Sequence, residues 1–197
     1  MKEAGGLATA ATAFIRAAEA VNRAVGAVTA WATLGCVLAC FAVVVLRYGF
    51  GIGKVWLQDL YVWQHAAVFL IGAGYTFLVG GHVRVDLIYR AASPRHRAAV
   101  DLFGTVTFLL PFLALILVES WPLVASAWAI GEGASQPGGL PAVYILKSFL
   151  IVFCALVGLQ GLVVVVRAVM VLSGVEPPPT SQPPVEIAAA HPVGPAP

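Results

Sequence analysis

Charged residues divide the chain into long apolar runs, and the lengths of those runs predict its elements. The stretch 24–46 is uncharged between Arg23 and Arg47. A helix of that length rises about 34 Å, against a hydrocarbon core of about 30 Å. Runs at 57–80, 98–121 and 143–167 carry their few charges near their ends. That pattern suits three further spans, since a charge at the bilayer centre costs roughly 2.5–3.5 kcal/mol. Ahead of the first span, Leu7, Phe14, Val21 and Val25 recur near heptad spacing while Arg16, Glu19 and Arg23 share another face. Residues 1–23 therefore read as an amphipathic helix lying on the membrane surface or on a partner. The expected fold class is an all-α integral membrane protein, with four transmembrane helices over residues 24–172 and an N-terminal amphipathic interfacial helix. Eight prolines after residue 176 predict a disordered tail over 173–197.

Composition agrees with a lipid solvent: 60% of residues are hydrophobic and 10% charged, against about 25% charged in soluble domains. A net charge of +2 with its basic residues clustered in sequence argues against a nucleic-acid partner. Cys36, Cys40 and Cys154 all fall in apolar runs with no metal-ligand spacing, so they read as small buried hydrophobes. No metal, cofactor or catalytic residue is expected. The basic residues orient the spans. With a cytoplasmic N-terminus, Lys2, Arg16, Arg23, Arg84, Arg90, Arg95, Arg97 and Arg167 lie inside and only Arg47, Lys54 and Lys147 outside. Both termini are then cytoplasmic, and the loop from Gly131 to Pro141 is external.

Several positions carry candidate chemistry. Trp56, Asp59 and Trp63 share a helix face at the start of the second span, which places the Asp59 carboxylate at the headgroup level. Gln64 and His65, deeper in the span, suit hydrogen bonds across helices. Gly80-Gly81 ends that span, and the alternation in His82-Val83-Arg84-Val85-Asp86 predicts an extended, docked segment. Ser93-Pro94 supplies an N-cap and a first-turn proline for the third helix. Pro111 should bend that helix by freeing the carbonyl of Thr107. Pro137-Gly138-Gly139-Leu140-Pro141 predicts a compact turn with Pro141 opening the fourth helix. Asp59, Lys147 and Glu119 fall at similar depth and predict an interfacial charge cluster. Gly35 with Ala39, and Gly72 with Thr76, offer small-residue surfaces for a membrane partner.

Taken in order, four of these elements resemble the small permease subunit of tripartite ATP-independent periplasmic (TRAP) transporters, over roughly residues 16–171. They are Trp56-Leu57-Gln58-Asp59; His82-Val83-Arg84-Val85-Asp86; Glu132 followed by Pro137-Gly138-Gly139-Leu140-Pro141; and Lys147 with Gln160-Gly161. The pattern is most similar to the branch labelled for mannitol and chloroaromatic compounds. Asp59 stands where that family usually has Glu, and His65 where an apolar residue is expected. The resemblance implies a scaffold subunit in a bacterial inner membrane. It would support a large permease that moves small organic, carboxylate-type solutes with sodium, delivered by a periplasmic solute-binding protein. Its expected partner or structural contacts are Trp56, Gln58, Asp59, His82, Arg84, Asp86, Gly138, Gly139, Pro141 and Lys147.

Two other classes compete. An intramembrane enzyme would use Asp59, His65 and Glu119, but Asp59 and His65 lie six residues apart and point to different faces. A self-associating channel would need a polar stripe along one span, and none of the four shows one.

Overall fold

The computed structural model describes residues 2–82 and 92–179, and every regular element among them is helical. Helix α1 (Lys2–Val44) ends in a π-helical turn, Val45–Gly49. Helices α2 (Val55–Ile71) and α3 (Ala73–Leu78) follow, then α4 (Pro94–Gly104), a second π turn at Thr105–Leu109, α5 (Leu110–Ile130) and α6 (Val143–Leu172). Helix α6 lies at the centre, packed against each of the other described helices.

Three helical stretches are long and apolar enough to cross a membrane: Gly6–Gly49, Pro94–Ile130 and Val143–Leu172. The expected second span is divided at Gly72 into α2 and α3. The division is local, because Gly72 N–H donates to the Val68 carbonyl at 3.1 Å and Thr76 N–H to the Gly72 carbonyl at 3.0 Å. The expected boundary between residues 23 and 24 does not interrupt α1, which runs unbroken through it. Its Ala-rich composition suits a long helix, and what holds its first half is packing against α6. Ile15 and Ala18 join Val163 and Met170 in one buried cluster. A second cluster of Leu113, Cys154 and Val157 joins α5 to α6, with Ala73 and Phe77 of α3 against it. The heptad residues Leu7, Phe14 and Val21, expected to form the docking face, point outward instead.

Helix ends follow local chemistry. Ser93 Oγ accepts from the His96 backbone N–H, with Pro94 at the first helical position. At Gly80 the φ of +67° lets Gly81 N–H return to the Thr76 carbonyl at 2.9 Å, a C-terminal turn that a Cβ would disfavour. The Pro111 effect takes an unexpected form. The helix widens just before the proline into a π turn, with Leu110 N–H donating to the Thr105 carbonyl, so the ladder is re-spaced around the missing donor. Pro141 does not open the last helix. Ala142 takes a left-handed conformation at φ +72°, and α6 begins at Val143.

Candidate functional site

Two polar clusters lie about 30 Å apart along α6, by helical rise between residues 147 and 167. The first surrounds the turn between α5 and α6. Asp59 Oδ2 accepts the Leu140 backbone N–H at 2.8 Å, and a Cβ added at Gly139 would sit 2.6 Å from the same oxygen. The turn therefore closes over the carboxylate because residue 139 has no side chain. Lys147 pairs with Glu132, both ends partly exposed. Trp128 Nε1 donates to Ser148 Oγ at 2.9 Å, with the Trp128 and Tyr144 rings 4.5 Å apart. The turn is thus tied to α2, α5 and α6.

The expected cluster of Asp59, Lys147 and Glu119 is not what forms. Lys147 takes Glu132, Asp59 takes a backbone donor, and Glu119 is exposed on α5. A carboxylate cap is the better use of Asp59, since a backbone N–H is short-range and fixed whereas an exposed ion pair contributes under about 1 kcal/mol. Replacing Asp59 with Ala should cost about 1–3 kcal/mol and expose the turn to protease between residues 131 and 142. Gly139→Ala should act in the same direction. Reversing both Glu132 and Lys147 should restore the melting temperature of the native chain, whereas reversing Asp59 with Lys147 should not. Melting in detergent and limited proteolysis read both, and rescue by the Asp59/Lys147 exchange would contradict this pairing.

The other expected contacts are spread. Trp56 is exposed and Gln58 half-buried on α2; Gly138, with φ +79°, and Pro141 are exposed in the turn. His82 sits beyond α3 with its ring 5.9 Å from that of Phe77, while Arg84 and Asp86 lie outside the described residues. Gln64 and His65 make no cross-helix hydrogen bond among the described residues. The Gln64 amide presses on α1 where Gly35 leaves room, and His65 faces outward beside Phe69. Gly35, Ala39 and Gly72 serve packing within the chain, Ala39 being buried and Gly72 lying under Thr29.

The second cluster was not anticipated. Arg167 Nη2 donates to Glu19 Oε1 at 2.6 Å, the carboxylate side chain being 3% exposed. One turn further along α1, Asn22 Nδ2 donates to Gln160 Oε1 at 3.0 Å, both residues buried. Arg167 Nη1 also donates to the Pro178 carbonyl at 2.6 Å, so the first tail prolines fold back on the bundle. An amide such as Asn22 in an Ala-rich run was the available signal, because polar side chains in helices facing lipid commonly bond across helices. Glu19 offered none, lying between Arg16 and Arg23 on what reads as a solvated face.

Residues 36–170, about two thirds of the 197-residue chain, match the model of a protein family described as tripartite ATP-independent periplasmic transporters, DctQ component. The matched segment holds Asp59, the α5–α6 turn, Gln160 and Arg167, and begins beyond Glu19 and Asn22. No curated protein and no solved structure matches the chain.

Proposed function

The chain belongs to the DctQ-component family of tripartite ATP-independent periplasmic transporters, and from that premise we propose that it is the small scaffold subunit of a sodium-driven importer. Membership makes it a multi-pass membrane transporter component and not an enzyme, which closes the acid-base reading of Asp59, His65 and Glu119. In this reading it supports a large permease and leaves the solute path to it. A periplasmic binding protein delivers small organic carboxylates. The likeness of the Trp56-Asp59 and Pro137-Pro141 elements supports the mannitol and chloroaromatic branch. The α2–α3 pair, continuous in its hydrogen bonding across Gly72, supplies the fourth span, and both termini face the cytoplasm of a bacterial inner membrane.

One observation carries the scaffold role. Only 6% of the most apolar window of α1 is buried within the chain, and Trp31, Val37, Leu38 and Phe41 all point outward. Meanwhile the buried polar side chains Asn22 with Gln160, and Glu19 with Arg167, are paired with each other. Such a molecule has abundant surface for lipid or a partner helix, and these two polar pairs hold helices together. A self-associating channel would instead turn a polar stripe toward a shared axis.

Proteoliposomes test the role. The chain alone should give no sodium-driven uptake, and the large permease with its binding protein should need the chain for full uptake. Flux through the chain alone would overturn the scaffold reading. Reporter fusions after Val171 and within residues 131–136 should report opposite compartments; equal signals would refute four spans.

A further inference from the structure

A cavity of about 240 Å³ opens between the first half of α1 and the returning tail, lined by Ile15, Arg16, Glu19, Arg23, Pro178 and Pro179. Arg16 and Arg23 stand seven residues apart, about 10 Å along one helix face, so both guanidinium groups can reach a single ion between them. Neither makes an ion pair or hydrogen bond among the described residues, and Arg23 Nε is buried without a partner. Glu19 lies between them on the helix, yet its carboxylate is turned to Arg167. The Pro178 carbonyl on the wall also takes Arg167. The cavity wall therefore carries two arginines against one carboxylate that is already bonded to Arg167, an excess of positive charge. A larger cavity of about 370 Å³ lines its walls with as many carboxylates, Glu19 and Asp101, as guanidinium groups, Arg97 and Arg167, and so expresses no such preference.

We propose that Arg16 and Arg23 form a binding site for a phosphate group. Guanidinium forks match phosphate oxygens in planar, paired hydrogen bonds, and a tetrahedral group can serve two forks approaching from opposite ends of the cavity. A buried, unpartnered Nε–H costs free energy until it gains an acceptor. The same helix exposes Val21, Val28 and Trp31, apolar surface along which acyl chains can lie. An anionic phospholipid headgroup is one source of the phosphate, and free phosphate from water is the other. The site is independent of the transport role.

Native mass spectrometry of the full chain in detergent, supplied with dioleoylphosphatidylglycerol, reads the lipid source. Melting temperature in inorganic phosphate against chloride reads the aqueous one. The Arg16→Gln/Arg23→Gln double variant should retain about tenfold less lipid, the loss expected when charge-assisted hydrogen bonds are removed, while Arg95→Gln retains it. Should the double variant fail to fold by circular dichroism, Arg16→Glu alone, at an exposed position, should also expel the anion. Lipid retention that depends on the two arginines assigns the headgroup. Stabilisation by phosphate with the same dependence, and no lipid adduct, assigns the free ion. Adducts and melting that are the same in native and variant chains, or no adduct and no shift in the native chain, overturn the site.

Discussion

Replacing Glu19 with Ala should destabilise the bundle by about 3–5 kcal/mol, the cost of leaving one partner of a buried ion pair alone. The Arg167 side chain is 18% exposed and the Glu19 side chain 3%, so little water can replace the lost carboxylate. Arg167 would keep the Pro178 carbonyl, which accepts a hydrogen bond but carries no charge. Substituting both partners, Glu19→Leu with Arg167→Leu, should recover most of the loss, because an apolar pair of similar volume removes the uncompensated charge. Reversible unfolding in mixed micelles measures both variants. A loss below about 1 kcal/mol for Glu19→Ala would place the pair among weak surface bridges, and equal damage in the double variant would show that packing at residues 19 and 167, not charge, is what matters.

Gly26→Val should be nearly as harmful, costing about 1–3 kcal/mol through overpacking. A Cβ at residue 26 would overlap the Cγ of Tyr75 and lie 2.8 Å from its Cβ. Those atoms are the root of the side chain and move only with the backbone of α3. Helix α1 would have to withdraw from α3, and that separation would reach Asn22, whose amide crowds the Cα of Gly74 one turn away. The Asn22–Gln160 hydrogen bond should therefore weaken along with the local packing. Pairing Gly26→Val with Tyr75→Ala should relieve the overlap, at the cost of the ring's other contacts. Melting of the single variant within about 2 °C of the native chain, less than a loss of 1 kcal/mol brings to a domain of this size, would contradict a close helix approach at this point.

Local chemistry was readable where it was local. Ser93-Pro94 starts a helix as expected, Gly80-Gly81 ends one, and the Pro137-Pro141 turn is compact. The proline effect was readable in place but not in form, since whether a ladder breaks or widens depends on what packs nearby, here Gly161 beneath Thr105 and Leu109. The polar clusters were legible in part. Asp59 and Lys147 stand out because charges at span ends are conspicuous, but their partners were misassigned, depth being readable from helical rise and azimuth not. Glu19 and Arg167 lie 148 residues apart, and no periodicity connects them. The heptad of Leu7, Phe14 and Val21 is a real pattern whose face turned out to be the outer one, since apolar residues in a lipid-soluble protein point outward as readily as inward.

The continuity of α1 with its attachment so far down the chain bears on how the protein is made. Translation at about 5–20 residues per second puts roughly seven to thirty seconds between the emergence of Glu19 from the ribosome and that of Arg167, 148 residues later. Asn22 must wait nearly as long for Gln160. From Asn22 onward α1 can already pack on α2 and α3, where Asn22 faces Gly74 and Gly26 faces Tyr75, but the turns before Glu19 have only their own backbone bonds and the neighbouring lipid surface to rest on. The first turns synthesised are thus the last to be secured, and an arrest of elongation before residue 160 would leave Ile15, Ala18 and Glu19 undocked.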